Sequence, residues 1–131
     1  MKVLLSIKPE FVERIFSGEK RFEYRKAIFK NPNVKSVVVY ATKPVGKLVG
    51  EFDIERILTD CPSALWKKTS EFSGVGEAFY NSYFEGRKKG YAIEIQNLKK
   101  YPTPLDPYEE LEGFHPPQSF MYMTMDNFLS H

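Results

Sequence analysis

The sequence predicts an α+β protein: a small, partly open β-barrel of five or six strands with helices flanking it. Three observations lead there. The elements read in the order β-α-β-β-β-α-α-β with one more short strand near the C-terminus, and neither a regular βαβ alternation nor an internal repeat is present. The strand segments alternate in polarity and are joined by turn residues suited to hairpins. The helical segments are segregated rather than interleaved with every strand. At 131 residues, one domain spanning 1–131 is expected, with a single core burying roughly two thirds of the unfolded surface.

Lys2 to Ile7 is the first strand. Its apolar run is too short for a signal-peptide core and is stopped by Lys8-Pro9-Glu10. Pro9 suits the first helical position, where a missing N–H costs nothing. The helix runs to about Ser17, with Phe11, Val12, Ile15 and Phe16 on one face, assigned to the core. Glu10 and Glu13 lie near the positive end of its dipole. Gly18 stands where a left-handed residue ends a helix. A strand over 21–25 follows, with Arg21, Glu23 and Arg25 on one face and Phe22 and Tyr24 on the other. Lys20 sits at its start.

Asn31-Pro32-Asn33 turns the chain into a dense β-branched strand, Val34 to Thr42, long enough to be buried on both faces. Lys43-Pro44-Val45-Gly46 is the next turn. Lys47 to Leu58 is a long strand with one wet face carrying Glu51, Asp53 and Glu55. Gly50 within it marks a bulge or a close approach by another backbone. Asp60 stands near the cap of a helix from about Pro62 to Thr69 that buries Leu65 and Trp66. Ser73-Gly74-Val75-Gly76 breaks it, and a third helix, Glu77 to Phe84, carries the stripe Phe79, Tyr80, Tyr83 and Phe84, read as core. Gly86 ends it. Tyr91 to Leu98 alternates as a strand, after which Pro102, Pro104 and Pro107 forbid regular structure for several residues. One helical turn fits between Leu105 and Leu111, Gly113 to Ser119 is a rigid loop, Phe120 to Met125 is a last strand, and the tail after Asp126 is loosely held.

Composition excludes several function classes. One cysteine, Cys61, permits no internal disulfide and fits a reducing, cytoplasmic setting. Two histidines and one cysteine make a structural zinc site untenable, and no phosphate-cradling glycine motif is present: no metal and no cofactor are expected. No apolar run approaches the ~20 residues of a membrane span. The net charge of +2 conceals an asymmetry. Residues 20–36 carry six Lys or Arg against Glu23, whereas residues 101–131 carry five acids and no Lys or Arg. A local basic patch attracts phosphate even on a near-neutral molecule. The alternative is a solvated lysine-rich loop, or an acidic C-terminal end folded over the patch.

The chemistry-bearing residues cluster in one short stretch. Lys20, Glu23 and Arg25 are all of the type that binds a polar or anionic ligand at the rim of a site. Arg25 can pair bidentately with phosphate or carboxylate, and Glu23 can accept from a nucleobase amino group or hold Arg25. The competing reading is a Glu23–Arg25 surface ion pair on an edge strand. No nucleophile triad is present. His115 in its loop, terminal His131 and Cys61 beside Pro62 are read as non-catalytic.

Three features in order resemble an ASCH domain of the PUA-like superfamily: Ser6-Ile7-Lys8-Pro9; Gly18-x-Lys20-x-x-Glu23-x-Arg25; and Val38-Val39-Tyr40-Ala41-Thr42 followed by Gly46 to Glu51. The resemblance is strongest over residues 2–98, leaving 101–131 as a Pro-rich acidic C-terminal extension. Pro116-Pro117-Gln118-Ser119-Phe120 is similar to small prokaryotic and phage members regarded as transcriptional regulators. The resemblance implies a PUA-like barrel with a cleft between barrel and helices, lined by Lys20, Glu23 and Arg25, and a link to RNA and modified-base recognition. Some small relatives deacetylate N(4)-acetylcytidine with a Lys, a Thr and a Glu, and others are ribonucleases. Lys20 matches that lysine, Glu23 stands at the threonine position, and Glu51 is the nearest match for the glutamate.

The sequence therefore leads to a module that binds RNA or a nucleotide, with DNA left open, and with a regulatory role. Lys20, Glu23 and Arg25 contact the ligand, and Thr42, Lys43, Gln118 and Ser119 are further cleft residues. The rival is an amidohydrolase or ribonuclease in which Lys20 and Glu23 are catalytic. A third reading is a protein-interaction domain whose basic patch meets an acidic partner. Oligomeric state is left open.

Overall fold

The first strand, β1 (Lys2–Ile7), is buried on both faces, and the helix after it, α1 (Pro9–Ser17), lies across one of them. This computed structural model describes residues 1–123. The remaining strands are β2 (Phe22–Arg25), β3 (Ser36–Ala41), β4 (Lys47–Asp60), β5 (Gly90–Leu105) and β6 (Phe120–Met123). The other helices are α2 (Pro62–Thr69), α3 (Glu77–Tyr83) and the single turn α4 (Pro107–Glu110), with a 3-10 turn, Ser70–Phe72, between α2 and α3.

All six strands form one mixed sheet in the order β2-β5-β4-β3-β1-β6. Only β1 and β3 are parallel. The crossover between them carries α1 and β2, which moves β2 to the far edge. The α+β class and the six strands match the expected architecture. The barrel does not close by backbone pairing: β2 and β6 are the two ends of the sheet.

Alternation along β1 and β3 divides the core. Val3, Leu5, Ile7, Val37, Val39 and Ala41 face α1, whose Val12 and Ile15 cover them. Leu4, Val38 and Tyr40 face the other way, where Leu111, Phe114 and Met123 of the C-terminal segment cover them. A third cluster joins Phe22 and Tyr24 of β2 to Leu65 of α2 and to Tyr80 and Phe84 at α3. Fully burying one such side chain contributes roughly 1.5–3 kcal/mol.

Gly50 meets both readings offered for it. A Cβ there would lie 2.5 Å from the Lys99 carbonyl and 2.5 Å from the Phe16 ring, and the β4–β5 register shifts between Leu48 and Gly50. That shift also explains why β5 outruns the segment predicted to end at Leu98. Pro102 and Pro104 lie between the pairs Gly50↔Lys100 and Leu48↔Leu105, where the ladder is interrupted. β2 pairs only with residues 91–94, so the prolines deprive no second neighbour of a donor. Asp60 stands next to the cap residue of α2, Cys61, as expected. It ends β4, and its carboxylate accepts from Cys61 N at 2.8 Å. The last strand is described through Met123. The expected continuation to Met125, the tail after Asp126 and His131 lie outside the described residues.

Candidate functional site

Gly18, at φ 87°, ends α1 and donates its N–H to the Ile15 carbonyl. Lys20 N then donates to Arg14 O at 2.9 Å, and Arg21 N to Phe72 O at 2.8 Å. These bonds turn Lys20 inward, and it is 2% exposed. Gly74, at φ 66°, lies so close that a Cβ there would collide with the Lys20 Cβ. The loop after the 3-10 turn is thus laid directly against the lysine.

The Lys20 ammonium donates to Ser73 O at 2.8 Å, stands 4.0 Å from Glu23 Oε1 and lies 4.8 Å from the centre of the Tyr24 ring. Burial drives its pKa down to about 8; Glu23 opposes the drop and Arg14 adds to it. Arg14 in turn donates to Gly74 O at 2.8 Å, fixing the same loop.

Arg25 is committed to protein partners. It donates to Glu23 Oε2 at 3.2 Å, to Ser6 O at 3.4 Å and to Ser119 O at 2.6 Å. Ser6 Oγ donates to Pro117 O at 2.8 Å. Arg25 belongs to one end strand of the sheet, whereas Ser6 and Ser119 belong to β1 and to the loop entering β6 at the other. The sheet curls enough for one guanidinium to bridge its two ends.

A cavity of about 620 Å³ occupies that gap. Its floor holds Lys20 and Glu23, and its aromatic walls are Phe11, Tyr24, Tyr40, Phe79, Tyr80 and Tyr83. Tyr24 is pinned by its hydroxyl to Thr69 Oγ1 at 2.7 Å, and Tyr83 donates to the Tyr24 carbonyl at 3.3 Å. Exposed Lys8, Lys43 and Gln118 stand at the mouth. The volume is that of an ordinary small-ligand site, and the lining is mostly apolar with a few converging polar groups.

Of the seven residues singled out in the sequence, Lys20, Glu23, Arg25, Thr42, Lys43 and Gln118 line this cavity together. Ser119 does not line it; its carbonyl reaches the site only through Arg25. The Glu23–Arg25 pair is no surface ion pair, because both side chains are about nine-tenths buried, at 8% and 11% exposure. Nor are Lys20 and Glu23 at a rim, since they form the floor. The aromatic stripe of α3 divides: Tyr80 and Phe84 are core, whereas Phe79 is 40% exposed and lines the cavity with Tyr83. Phe11, likewise read as core, is half-buried and faces the same space. Tyr40 and Lys8 were visible inside the quoted motifs but carried no role there.

Other candidates fall elsewhere. Glu51 lies on β4, accepting from Lys2 at 2.7 Å and from Tyr101 at 2.7 Å, outside the cavity. His115 and Cys61 are exposed and do not line it. Among the described residues, the C-terminal segment meets Arg25 through the Ser119 carbonyl. Among the described residues, no three His, Cys, Asp or Glu side chains gather as a metal would need, and no helix is long and apolar enough to cross a membrane.

Comparison with known proteins gives a consistent result. The ASCH domain family model matches residues 5–104. The chain is 31% identical over 127 residues to an ASCH domain-containing ribonuclease of Zymomonas mobilis, covering 95% of this chain and 86% of that protein. It is 32% identical over 124 residues to the large ribosomal subunit protein uL22 of Ureaplasma parvum, covering 92% of this chain but spanning only 39% of that relative. The crystal structure of ASCH from Zymomonas mobilis superposes with a TM-score of 0.88 at 28% identity, covering 96% of this chain and 90% of that one.

Proposed function

Because the chain belongs to the ASCH domain family, we propose that it acts on RNA, taking one unstacked nucleotide of a single strand into the cavity between the ends of the sheet. The observation that carries this reading is a buried ammonium–carboxylate pair, Lys20 and Glu23, on the floor of an aromatic cavity. An unstacked base offers a face to aromatics and polar edges to donors and acceptors, and this lining has both. In this reading Lys20 donates to a base edge, Glu23 accepts from an amino group, and Arg25 positions Glu23. Lys8 and Lys43 at the mouth meet the phosphates. The name of the Zymomonas relative points the same way.

A salt titration with a fluorescent single-stranded RNA hexamer tests the reading. Affinity should fall with salt, and Lys43→Ala should reduce the logarithmic slope by about 0.7, the share of one phosphate on a single strand. Lys20→Ala should weaken binding without changing the slope, because a floor residue meets no phosphate. A matched DNA strand measures selectivity. Failure to bind any RNA or DNA oligomer at low salt would sink the proposal.

A second reading, RNA cleavage, has a specific observation behind it. An ammonium whose pKa is about 8 is close to the working pH and can serve as a general acid. The Zymomonas relative is named a ribonuclease. Incubating the hexamer with protein and resolving the products decides it: cleavage lost in Lys20→Met supports the enzyme, and an intact strand refutes it. Acetylated cytidine in the same assay tests the amidohydrolase chemistry.

A further inference from the structure

Tyr40 separates two concavities. One side of the partition is the cavity already described. On the other side a shallower groove runs between the turn after β3 and the single helical turn α4, lined by Lys43, Lys47, Asp106 and Tyr108 as well as by Tyr40 itself. Lys43 lines both spaces and stands on the ridge that joins them.

The groove has the composition of a strand track. Tyr108 is 56% exposed, the most open large hydrophobic side chain among the described residues. It is nevertheless held in place. Asp106 Oδ1 accepts from Tyr108 N at 2.9 Å, fixing the backbone that carries it. Its ring meets buried Phe114 edge-on, with ring centres 5.1 Å apart, and Phe114 is anchored against Tyr40 in turn. An exposed aromatic on a fixed base suits stacking, because little ordering entropy is lost when a planar group lands on it. Lys47 stands in the same groove, in a long, solvent-exposed contact of 3.7 Å with Asp106 that leaves its ammonium open to an anion.

We propose that this groove is a second nucleotide subsite, in which the residue adjoining the cavity-bound nucleotide stacks its base on Tyr108 while the connecting phosphate crosses the ridge at Lys43 and reaches Lys47. The inference rests on the single-nucleotide reading of the cavity. It adds a second contact for the strand and gives the direction in which that strand leaves the cavity: over Tyr40, toward α4.

The test compares two ligands on the same protein, a nucleoside monophosphate and a single-stranded RNA hexamer, by calorimetry or anisotropy. Tyr108→Ala should weaken hexamer binding about tenfold, the effect of roughly 1.4 kcal/mol and within the range measured for one stacked base. It should leave monophosphate binding unchanged, and Tyr108→Phe should restore the hexamer. Lys47→Gln should lower the salt slope for the hexamer alone. Unchanged hexamer affinity in Tyr108→Ala and Lys47→Gln, with the monophosphate still bound, overturns the second subsite and leaves the cavity reading intact. Loss of both ligands in Tyr108→Ala also overturns it, since the residue would then be supporting the cavity. A parent protein that binds neither ligand removes the cavity reading and the subsite with it.

Discussion

Replacing Lys20 by methionine removes an ammonium that burial disfavours while keeping much of its volume. Glu23 would still be paired with Arg25, so stability at pH 7 should be unchanged or higher, whereas RNA binding should weaken. Denaturant unfolding and anisotropy on the same sample check both; a loss of several kcal/mol would mark Lys20 as structural. The pH dependence has a definite sign. The folded pKa, about 8, lies below the unfolded value of 10.5, so the unfolded chain holds more protons between them. The disadvantage carried by Lys20 is therefore fully present below pH 8 and is relieved as pH rises toward 10.5. The stability gap between Lys20→Met and the parent should close over that interval. Binding should run the other way, falling as pH rises through about 8 and the donor proton is lost. Gly74→Ala addresses the same residue from behind: a left-handed alanine, with a Cβ driven into Lys20, should cost about 2 kcal/mol or more and weaken binding together with stability. Gly18, Lys20, Glu23 and Arg25 were legible as a group because their spacing is local. Their burial was not, because the groups that bury Lys20 come from Ser73 and Gly74, more than fifty residues away.

The elements were legible where their signals were local. Pro9 and Gly18 delimit α1, alternation marks β2 and β4, and a dense β-branched run marks β3. They were not where a neighbour decides the outcome. β5 continues past two prolines because β2 is too short to need their donors and the β4 ladder is interrupted there. In α3, aromatics at 79, 80, 83 and 84 form one broad stripe, and the sequence cannot say which edge of it meets the core and which the cavity. The link from β2 to the loop before β6 is the extreme case, since Arg25 and Ser119 are 94 positions apart. Arg25→Met would leave the Ser119 and Ser6 carbonyls without that donor and the buried Glu23 without its closer cation. The expected cost is about 3–5 kcal/mol, as for other broken buried pairs. Hydrogen exchange should show faster exchange in residues 116–123 before it does in β3. Arg25→Lys should fall between, since it keeps the charge but loses the fork. Equal protection in Arg25→Met and parent would refute the bridge.

At the scale of the whole molecule, a net charge of +2 gives weak general attraction to nucleic acid. In the proposed reading, selectivity would come from the cavity rather than from long-range charge, and the lysines that set the salt dependence would be the few at its mouth. Sequence composition located the basic segment but could not show that its most conspicuous members point inward. The sheet order has a further mechanical consequence. A barrel completed by strand pairing is a rigid tube, and widening it means unzipping a ladder of backbone bonds. Here the perimeter is completed by two hydrogen bonds from one guanidinium, to the Ser6 and Ser119 carbonyls. Widening the mouth would therefore need one side chain to change rotamer rather than a backbone ladder to unzip. A phosphate or carboxylate oxygen arriving at the gap would find N–H groups to take in exchange for a protein carbonyl, and in the proposed reading ligand admission and seam opening would be a single swap of acceptors.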